Sequence, residues 1–538
     1  MKTRETRKML TQIWKSDFTF ILLIFTIFCF LTASYVIAAI TNYGMEGDEV
    51  FSYISSTSQG GYKGICFLDD QTWYEGSYFQ DALTATGAER FNYKMVVENQ
   101  AMDTHPPFYY LLLNFVASLF PGQFSRWFGI GLNIFLMFFV WAGLYLLFQY
   151  FLNRKYLSAF FSTLFCCSYL SFSMVLFIRM YVLLMAICLF QAWYHLKLYD
   201  AVRTNSPFLI RSHWKSYVVL SLLTICGAWT HYYFIIFQGL ISCLFVVILW
   251  FQKRRPDMFR YIGCMAASGA FYILLYPASL NHLFFKYRGR DAIHKFLKGS
   301  SLFGEVSSML NNYNEQQYHG LLFWLVLLLL FFTLILFAKH KIAFFALVKG
   351  CLLLLPSLTY FFGISKASPF VTLRYITPVA PLLFAAVVIW VFRLLEKAQL
   401  SHKAARILAI FLCAAFVPIC AYWWKSPLKP SFFSEKKEVI EELSDISNVC
   451  VYVTGDEYNW KMWEDYLYYP FFDGLFFIDG NQRKPIRNER LSSQENIVLF
   501  IDSALDADVI LDYLTDYLPF HSYELIYTAQ YNFIYLAR

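Results

Sequence analysis

The feature that most restricts this chain is a succession of apolar runs, each about twenty residues long, the length needed to cross a bilayer as a helix. They fall at 18–40, 126–151, 157–176, 178–196, 217–230, 232–251, 260–278, 320–338, 343–363, 371–395 and 406–424. Backbone amides in hydrocarbon find no water, so such runs must bond internally as helices. The expected fold class is an all-α polytopic membrane protein of about 11 transmembrane helices, with a small C-terminal extracytoplasmic α/β domain. Only 15% of the 538 residues are charged and 58% are hydrophobic, which excludes a soluble chain of this length. The formal charge of +7 does not point to nucleic acid, because Lys and Arg sit mostly in short loops between the runs, where they set orientation. No nucleic-acid partner is expected. Most of the twelve cysteines lie within apolar runs, without CxxC or Cys/His spacing, and read as small buried hydrophobes. Cys66 and Cys450 lie outside the runs and are expected to be unpaired.

Loop charge sets the topology. Lys2, Arg4, Arg7, Lys8 and Lys15 precede the first run, which lacks a small-residue cleavage site and reads as a retained signal anchor. The basic loops at 154–155, 197–215, 253–255, 339–341 and 393–406 share the N-terminal side only if the ambiguous run 106–120 does not cross. That run is therefore a juxtamembrane helix. The expected location is the plasma (cytoplasmic) membrane, with the N-terminus cytoplasmic and the C-terminal domain extracytoplasmic. Residues 1–424 form a transmembrane catalytic domain with an outer loop at 41–107 and an outer basic loop at 281–319. After the proline-bearing linker 425–430, residues 425–538 form the α/β domain: a polar helix at 434–447, strands at 449–454, 475–478 and 497–501, a helix at 507–518 and a terminal hairpin at 523–536. Asp502, Asp506 and Asp508 are assigned to solvated surface and loop ends.

The chemistry-bearing residues cluster in the loop 41–107. It opens with Gly47-Asp48-Glu49 and closes with Asp103-Thr104-His105-Pro106-Pro107-Phe108-Tyr109-Tyr110. Adjacent carboxylates point in different directions, so Asp48 is the candidate base and Glu49 a supporting group. Taken alone, an Asp-Glu pair is more often an ordinary acidic interfacial loop. His105 is held by the rigid Pro-Pro, either to bind phosphate as a cation or to orient a sugar hydroxyl; a capping role is the plainer reading. Arg179 and Arg374 stand at run ends, as phosphate-binding forks or as snorkelling side chains. His231 sits in a tight turn between two runs, where a buried structural histidine is the plainer reading. In this topology all of these residues, with Tyr375, fall on the outer face. The excess of Lys286, Arg288, Arg290, Lys295 and Lys298 on that face fits anionic headgroups or a phosphate-bearing substrate equally well.

In chain order, Asp-Glu, His-Pro-Pro-Phe-Tyr-Tyr, Arg-Met-Tyr, Thr-His-Tyr-Tyr and Arg-Tyr resemble the motifs of bacterial GT-C superfamily membrane glycosyltransferases, those related to protein O-mannosyltransferases (glycosyltransferase family 39) and to the aminoarabinose transferase of lipid A. The resemblance covers residues 1 to about 400 and leaves the C-terminal domain outside. It implies an inverting glycosyltransferase, moving a monosaccharide (hexosyl or pentosyl) from a polyprenyl-phosphate sugar donor to a glycan, lipid or protein acceptor of the cell envelope. On that resemblance Asp48 is the catalytic base with Glu49 beside it. Arg374 and Arg179 bind the lipid phosphate, and His105 occupies the His-Pro-Pro position. His231 and Tyr375 join the donor phosphate and sugar contacts, with Lys286, Arg288 and Arg290 as further lipid-phosphate contacts. No cofactor is expected, and a divalent metal is not favoured, because the loop shows no complete set of ligands. A flippase or transporter of lipid-linked saccharide is the alternative, and an idle scaffold a third. Polar residues gathered at one interface, without inverted repeats or mid-bilayer charges, favour the enzyme.

Overall fold

The computed structural model describes residues 2–41, 44–61, 68–204, 209–298, 302–318, 320–338, 344–368, 372–397, 434–455 and 459–538. The chain divides into two compact units. A helical unit comprises Met1–Ala38, Asn133–Leu176 and Met180–Ser426; a sheet-bearing unit comprises Ala39–Leu132, Phe177–Arg179 and Pro427–Arg538. The boundary read from the sequence at 424/425 thus differs from the observed partition, which groups the outer loop 41–107 with the C-terminal residues.

Among the described residues, seven helices are long and apolar enough to cross a membrane: Asp17–Thr41, Arg126–Leu152, Tyr181–Arg203, Phe234–Phe251, Arg255–Leu275, Val348–Ala367 and Thr377–Leu394. The expected run 157–176 is instead two helices, Lys155–Cys166 and Tyr169–Leu176, bent by 60°, which make an eighth span if counted as one. At the break, Ser171 Oγ donates to Phe165 O at 2.8 Å and Ser168 Oγ accepts from Ser171 N at 3.3 Å, so hydroxyls satisfy the backbone groups that the bend exposes. The runs 217–230 and 320–338 form helices of 17 residues, Trp214–Thr230 and Leu322–Ala338, and the run 406–424 lies outside the described residues. The expected count of about eleven is therefore not reached among the described residues: hydropathy marks an apolar run but is blind to where it bends or stops. The chain is a multi-pass membrane protein of seven or eight described spans. Phe108–Ser118 is only 11 residues long, too short to cross. The expected basic loop 281–319 is largely helical, with helices Tyr287–Lys298 and Leu302–Tyr318.

Polar side chains tie the helical unit together. His195 is fully buried; its Nδ1 lies 2.7 Å from Gln191 O and its Nε2 2.7 Å from Tyr261 Oη. A carbonyl only accepts, so Nδ1 carries the proton and Nε2 accepts from Tyr261, whose oxygen in turn lies 3.0 Å from Ser242 Oγ. The result clasps three helices with neutral groups.

The other unit is built on a six-stranded sheet. Its strands are β1 (Thr72–Glu75), β2 (Val449–Thr454), β3 (Gly474–Asp479), β4 (Ile497–Asp502), β5 (Tyr523–Thr528) and β6 (Asn532–Ala537), in the order β1-β3-β2-β4-β6-β5. β2 pairs in parallel with β3 and β4, and the other pairings are antiparallel. The tail elements therefore stand close to where the sequence places them. β1 was not foreseen: it comes from the outer loop and pairs Thr72 with Phe477 through Glu75 with Gly474. β2 and β4 are buried along their whole length, because both faces are covered. On one face Val451, Val453, Leu499 and Ile501 pack with Ile510 and Leu514. On the other, Phe79 of the loop helix Gly76–Ala82 lies 5.1 Å from Tyr469, which lies 5.6 Å from Phe500. Asp502 is fully buried rather than solvated: it pairs with Lys461 at 2.5 Å and accepts from Ala504 N at 2.8 Å, since a carboxylate ending a central strand must find donors indoors. Asp506 caps its helix, accepting from Asp508 N and Val509 N, and Asp508 is exposed. Cys450 is buried and unpaired, and burial pushes its thiol well above its ordinary value; Cys66 lies outside the described residues.

β1 docks through a side-chain vacancy. A Cβ built on Gly474 would stand 2.0 Å from Trp73 Cζ2. Gly474→Ala is therefore expected to detach β1, read as faster amide hydrogen exchange in Thr72–Glu75, and Trp73→Ala in the same chain should restore protection. Unchanged exchange in the single variant would show that the close approach does not hold the strand.

Candidate active site

The site in the sheet-bearing unit grows from the helix Gly47–Thr57. Asp48 and Glu49 lie in its first turn, where exposed amide groups favour negative charge. The helix is pinned by two buried amides. Asn114 Nδ2, on the helix Phe108–Ser118, donates to Ser56 O at 2.7 Å, and Asn99 Nδ2 donates to Ser55 O at 3.1 Å and Ser58 O at 2.9 Å. Tyr53 donates to Ser125 O at 2.8 Å; burial pushes its phenol and that of Tyr109 well above the ordinary value, so both remain protonated.

The two carboxylates are separated by burial. Glu49 is 1% exposed; its Oε2 accepts from Glu46 N at 2.8 Å and its Oε1 from Ile178 N at 2.9 Å. Each oxygen is thus engaged by a backbone amide, and the side chain staples the helix start to the segment Phe177–Arg179. The Asp48 side chain is 34% exposed, with Oδ1 at 3.8 Å from Arg179 Nη2. One carboxylate holds the site and the other faces out of it.

Arg179 is 2% exposed and lies at the centre. Nη1 donates to Tyr110 Oη at 2.8 Å, Asp48 O at 3.2 Å and Ser52 Oγ at 3.3 Å, and the guanidinium carbon lies 5.6 Å from the Phe51 ring centroid. Nη2 lies 3.2 Å from His105 Nε2. A guanidinium has no acceptor, so His105 Nε2 must accept. The His105 proton therefore sits on Nδ1, which meets Asp103 Oδ2 at 2.6 Å. This favours a neutral imidazole, oriented by Asp103, over a phosphate-binding cation. Trp463, from the C-terminal part of the chain, stacks on Phe51 with centroids 5.8 Å apart and planes at 22°.

The structure brings Asp48, Glu49, His105 and Arg179 together. Sequence reasoning missed Asp103, Tyr110, Phe51 and Trp463. Asp103 and Tyr110 lie inside the motif that was singled out, so a signal existed; nothing local marks Trp463.

His231, Arg374 and Tyr375 lie in the helical unit. His231 lies 4.9 Å from Tyr233 and 6.4 Å from Tyr375, ring to ring, and Tyr233 lies 5.5 Å from Tyr375. Tyr233 N donates to His231 Nδ1 at 3.1 Å, which leaves Nε2 to carry the proton. The Arg374 guanidinium lies 5.4 Å from the Tyr375 ring centroid, and Tyr360 donates to Tyr375 O at 2.9 Å. Of the basic residues on the other candidate segment, Arg290 is exposed, Lys286 is half-buried and the Arg288 side chain lies outside the described residues. Lys295, beside them, donates to Ser368 O at 2.6 Å and pairs with Glu305 at 3.4 Å. Among the described residues no three His, Cys, Asp or Glu side chains converge as metal ligands would.

No family model matches the chain, and no curated protein matches it in sequence. Solved structures do. ArnT from Cupriavidus metallidurans bound to undecaprenyl phosphate superposes with a TM-score of 0.54 at 11% identity, over 96% of this chain and 98% of that one. The apo state of the same protein gives 0.52 at 10% identity, over 96% and 97%. The likeness, over 96% of this chain, takes in C-terminal residues that the motif series left out, and it shows that the chain shares the fold of ArnT.

Proposed function

We propose that the chain is an inverting glycosyltransferase that moves a monosaccharide from a polyprenyl-phosphate donor to a hydroxyl of a cell-envelope acceptor, with Asp48 as general base. The observation that carries this reading is the division of labour in the first turn of Gly47–Thr57: Glu49 is buried and saturated by amides, while Asp48 is partly exposed beside a buried guanidinium. The fold likeness to ArnT bound to undecaprenyl phosphate supports a lipid-phosphate donor.

In the proposed step the acceptor oxygen attacks the anomeric carbon as its proton passes to an Asp48 oxygen. The bond from that carbon to the phosphate oxygen breaks, and its electron pair leaves with the lipid phosphate. The configuration inverts because attack and departure take opposite faces. A phosphate leaves readily, so protonating it matters less than holding it near positive charge. Arg179 acts in this reading as a positioning residue: its Nη groups are directed at Asp48 O, Ser52, Tyr110 and His105, so it fixes the backbone that carries Asp48. His105 aligns Arg179. Within the helical unit, Arg374, His231 and Tyr375 are proposed donor contacts, with Arg374 supplying charge to phosphate and His231 Nε2–H a neutral donor. Arg290 and Lys286 are proposed phosphate contacts on the basic segment, with Arg288 proposed from sequence alone. The plasma membrane as location, with the N-terminus cytoplasmic and the sheet outside, belongs to the same proposal.

Asp48→Asn is expected to lower transfer of radiolabelled sugar from synthetic polyprenyl-phosphate sugars by about 10²–10⁴-fold in the purified protein, with the melting temperature unchanged. Full turnover in that variant would remove Asp48 as base. Transfer assayed with and without chelator tests metal dependence directly; undiminished turnover is expected. Movement of lipid-linked saccharide across vesicles without any transfer would favour the transporter instead. Glu49→Gln should behave differently from Asp48→Asn. An amide NH₂ set against a backbone N–H leaves a buried donor unmet, at about 1–3 kcal/mol, so its melting temperature should fall along with activity. An unchanged melting temperature would mean that Glu49 does not hold the helix start.

A further inference from the structure

In the helical unit, the helices Trp214–Thr230 and Arg255–Leu275 leave a groove of about 310 Å³ at one end, lined by Ile210, Trp214, Tyr217, Val218, Leu222 and the Ser221–Cys264 pair. The lining is apolar apart from a few side-chain heads. Ser221 Oγ and Cys264 Sγ satisfy each other at 3.3 Å. The Tyr217 hydroxyl does not: the residue is 3% exposed and its oxygen makes no hydrogen bond among the described residues. A buried phenol left unmet is costly, and it points to a polar partner that arrives from outside the chain.

The charge around this end of the groove says what kind. Arg211, Lys215, Lys253, Arg254, Arg255 and Arg260 crowd the two helix starts and the segment before each, and Asp257 is the one acid among residues 209–217 and 252–261. Asp257 is already shared, at 2.6 Å with Arg254 and 3.5 Å with Arg260, and Leu209 N also donates to it. Arg211, Lys215 and Arg260 are exposed, and Lys215 lies 5.9 Å from the Trp214 ring centroid. Tyr217 lies within electrostatic reach of Asp257 first, and then of Arg254 and Arg260. Surplus cations, an exposed tryptophan and an apolar slot along a helix with exposed Val218 and Leu222 form a combined demand: a negative head joined to a hydrocarbon chain. Val218 and Leu222, at 47% and 56% exposed, would contact that chain.

We propose that this groove binds an anionic glycerophospholipid, with one acyl chain along Val218 and Leu222, the phosphodiester among Lys215 and Arg260, and the Tyr217 hydroxyl donating to the headgroup. The proposal depends on the chain being membrane-embedded but not on the transferase reading. The test is thermal unfolding of the full chain, purified in detergent, titrated with phosphatidylglycerol or with phosphatidylcholine of the same acyl composition. Phosphatidylglycerol should raise the melting temperature by about 3 °C more than phosphatidylcholine. Leu222→Trp, which fills the groove from an exposed position, should abolish that difference, and Lys215→Glu should weaken the half-saturating concentration several-fold. Tyr217→Phe should also weaken it while leaving the lipid-free protein no less stable. Equal responses to the two lipids would overturn the proposal, as would an undiminished response in Leu222→Trp and Lys215→Glu. A groove-dependent response to polyprenyl phosphate that exceeds the one to phosphatidylglycerol would also overturn it, by making the occupant the donor lipid. Sugar transfer by the variants reads out separately, so loss of this site and loss of the transferase reading are distinguishable.

Discussion

The guanidinium of Arg179 is the charge on which the site in the sheet-bearing unit depends. At 2% exposure it has almost no water to lean on, and a buried cation is tolerable only when its donors are met by well-placed acceptors. Those acceptors come from three stretches, of which the last two adjoin in sequence: Asp48 O and Ser52 from the first helix of the loop, His105 from the end of the loop, and Tyr110 from the juxtamembrane helix. The cation therefore sets the geometry of each stretch relative to the others. His105 fits this role because its neutral tautomer offers a lone pair toward Arg179 and a proton toward Asp103, completing a chain in which each group has one donor facing one acceptor.

Burial also separates two residues that are chemically alike and adjacent. Glu49 points inward and is saturated by the amides of Glu46 and Ile178; Asp48, one position earlier on a helix, is turned by about 100° and remains partly exposed. The buried carboxylate is spent on structure, which fixes the direction of its neighbour. Acid–base chemistry needs a group that is held firmly yet reachable, and only Asp48 of this pair meets both conditions.

The sheet extends the same support. β1 and Phe79 come from the outer loop and cover an edge and a face of a sheet whose other strands are C-terminal. Through Trp463 on Phe51, and Phe51 beside Arg179, the C-terminal part of the chain reaches the charged cluster by a continuous run of aromatic contacts. The C-terminal residues are thus part of the frame that holds the candidate base, within one compact unit.

Much of this was legible in the residues. Apolar runs identified membrane helices because a backbone in hydrocarbon has few alternatives, and the 11-residue helix at 108–118 follows from loop charge. The tail strands showed in their β-branched and aromatic content. The motif series singled out Asp48, Glu49, His105 and Arg179, which the fold brings together, since local sequence records which residues carry ionisable side chains. Three things required the tertiary structure. The bend between Cys166 and Tyr169 was hidden because hydropathy averages over direction. The partners of Arg179, and Ile178 as a partner of Glu49, were hidden because each of those hydrogen bonds joins residues more than sixty positions apart. The pairing of β1 with β3, some four hundred residues away, was hidden because a four-residue edge strand carries no periodicity of its own. By itself the sequence determined the membrane class and the residue types present at the candidate site, both of which follow from local composition. Which carboxylate faces outward and which histidine nitrogen carries the proton were decided only by the fold, because those properties depend on what distant segments place against each group.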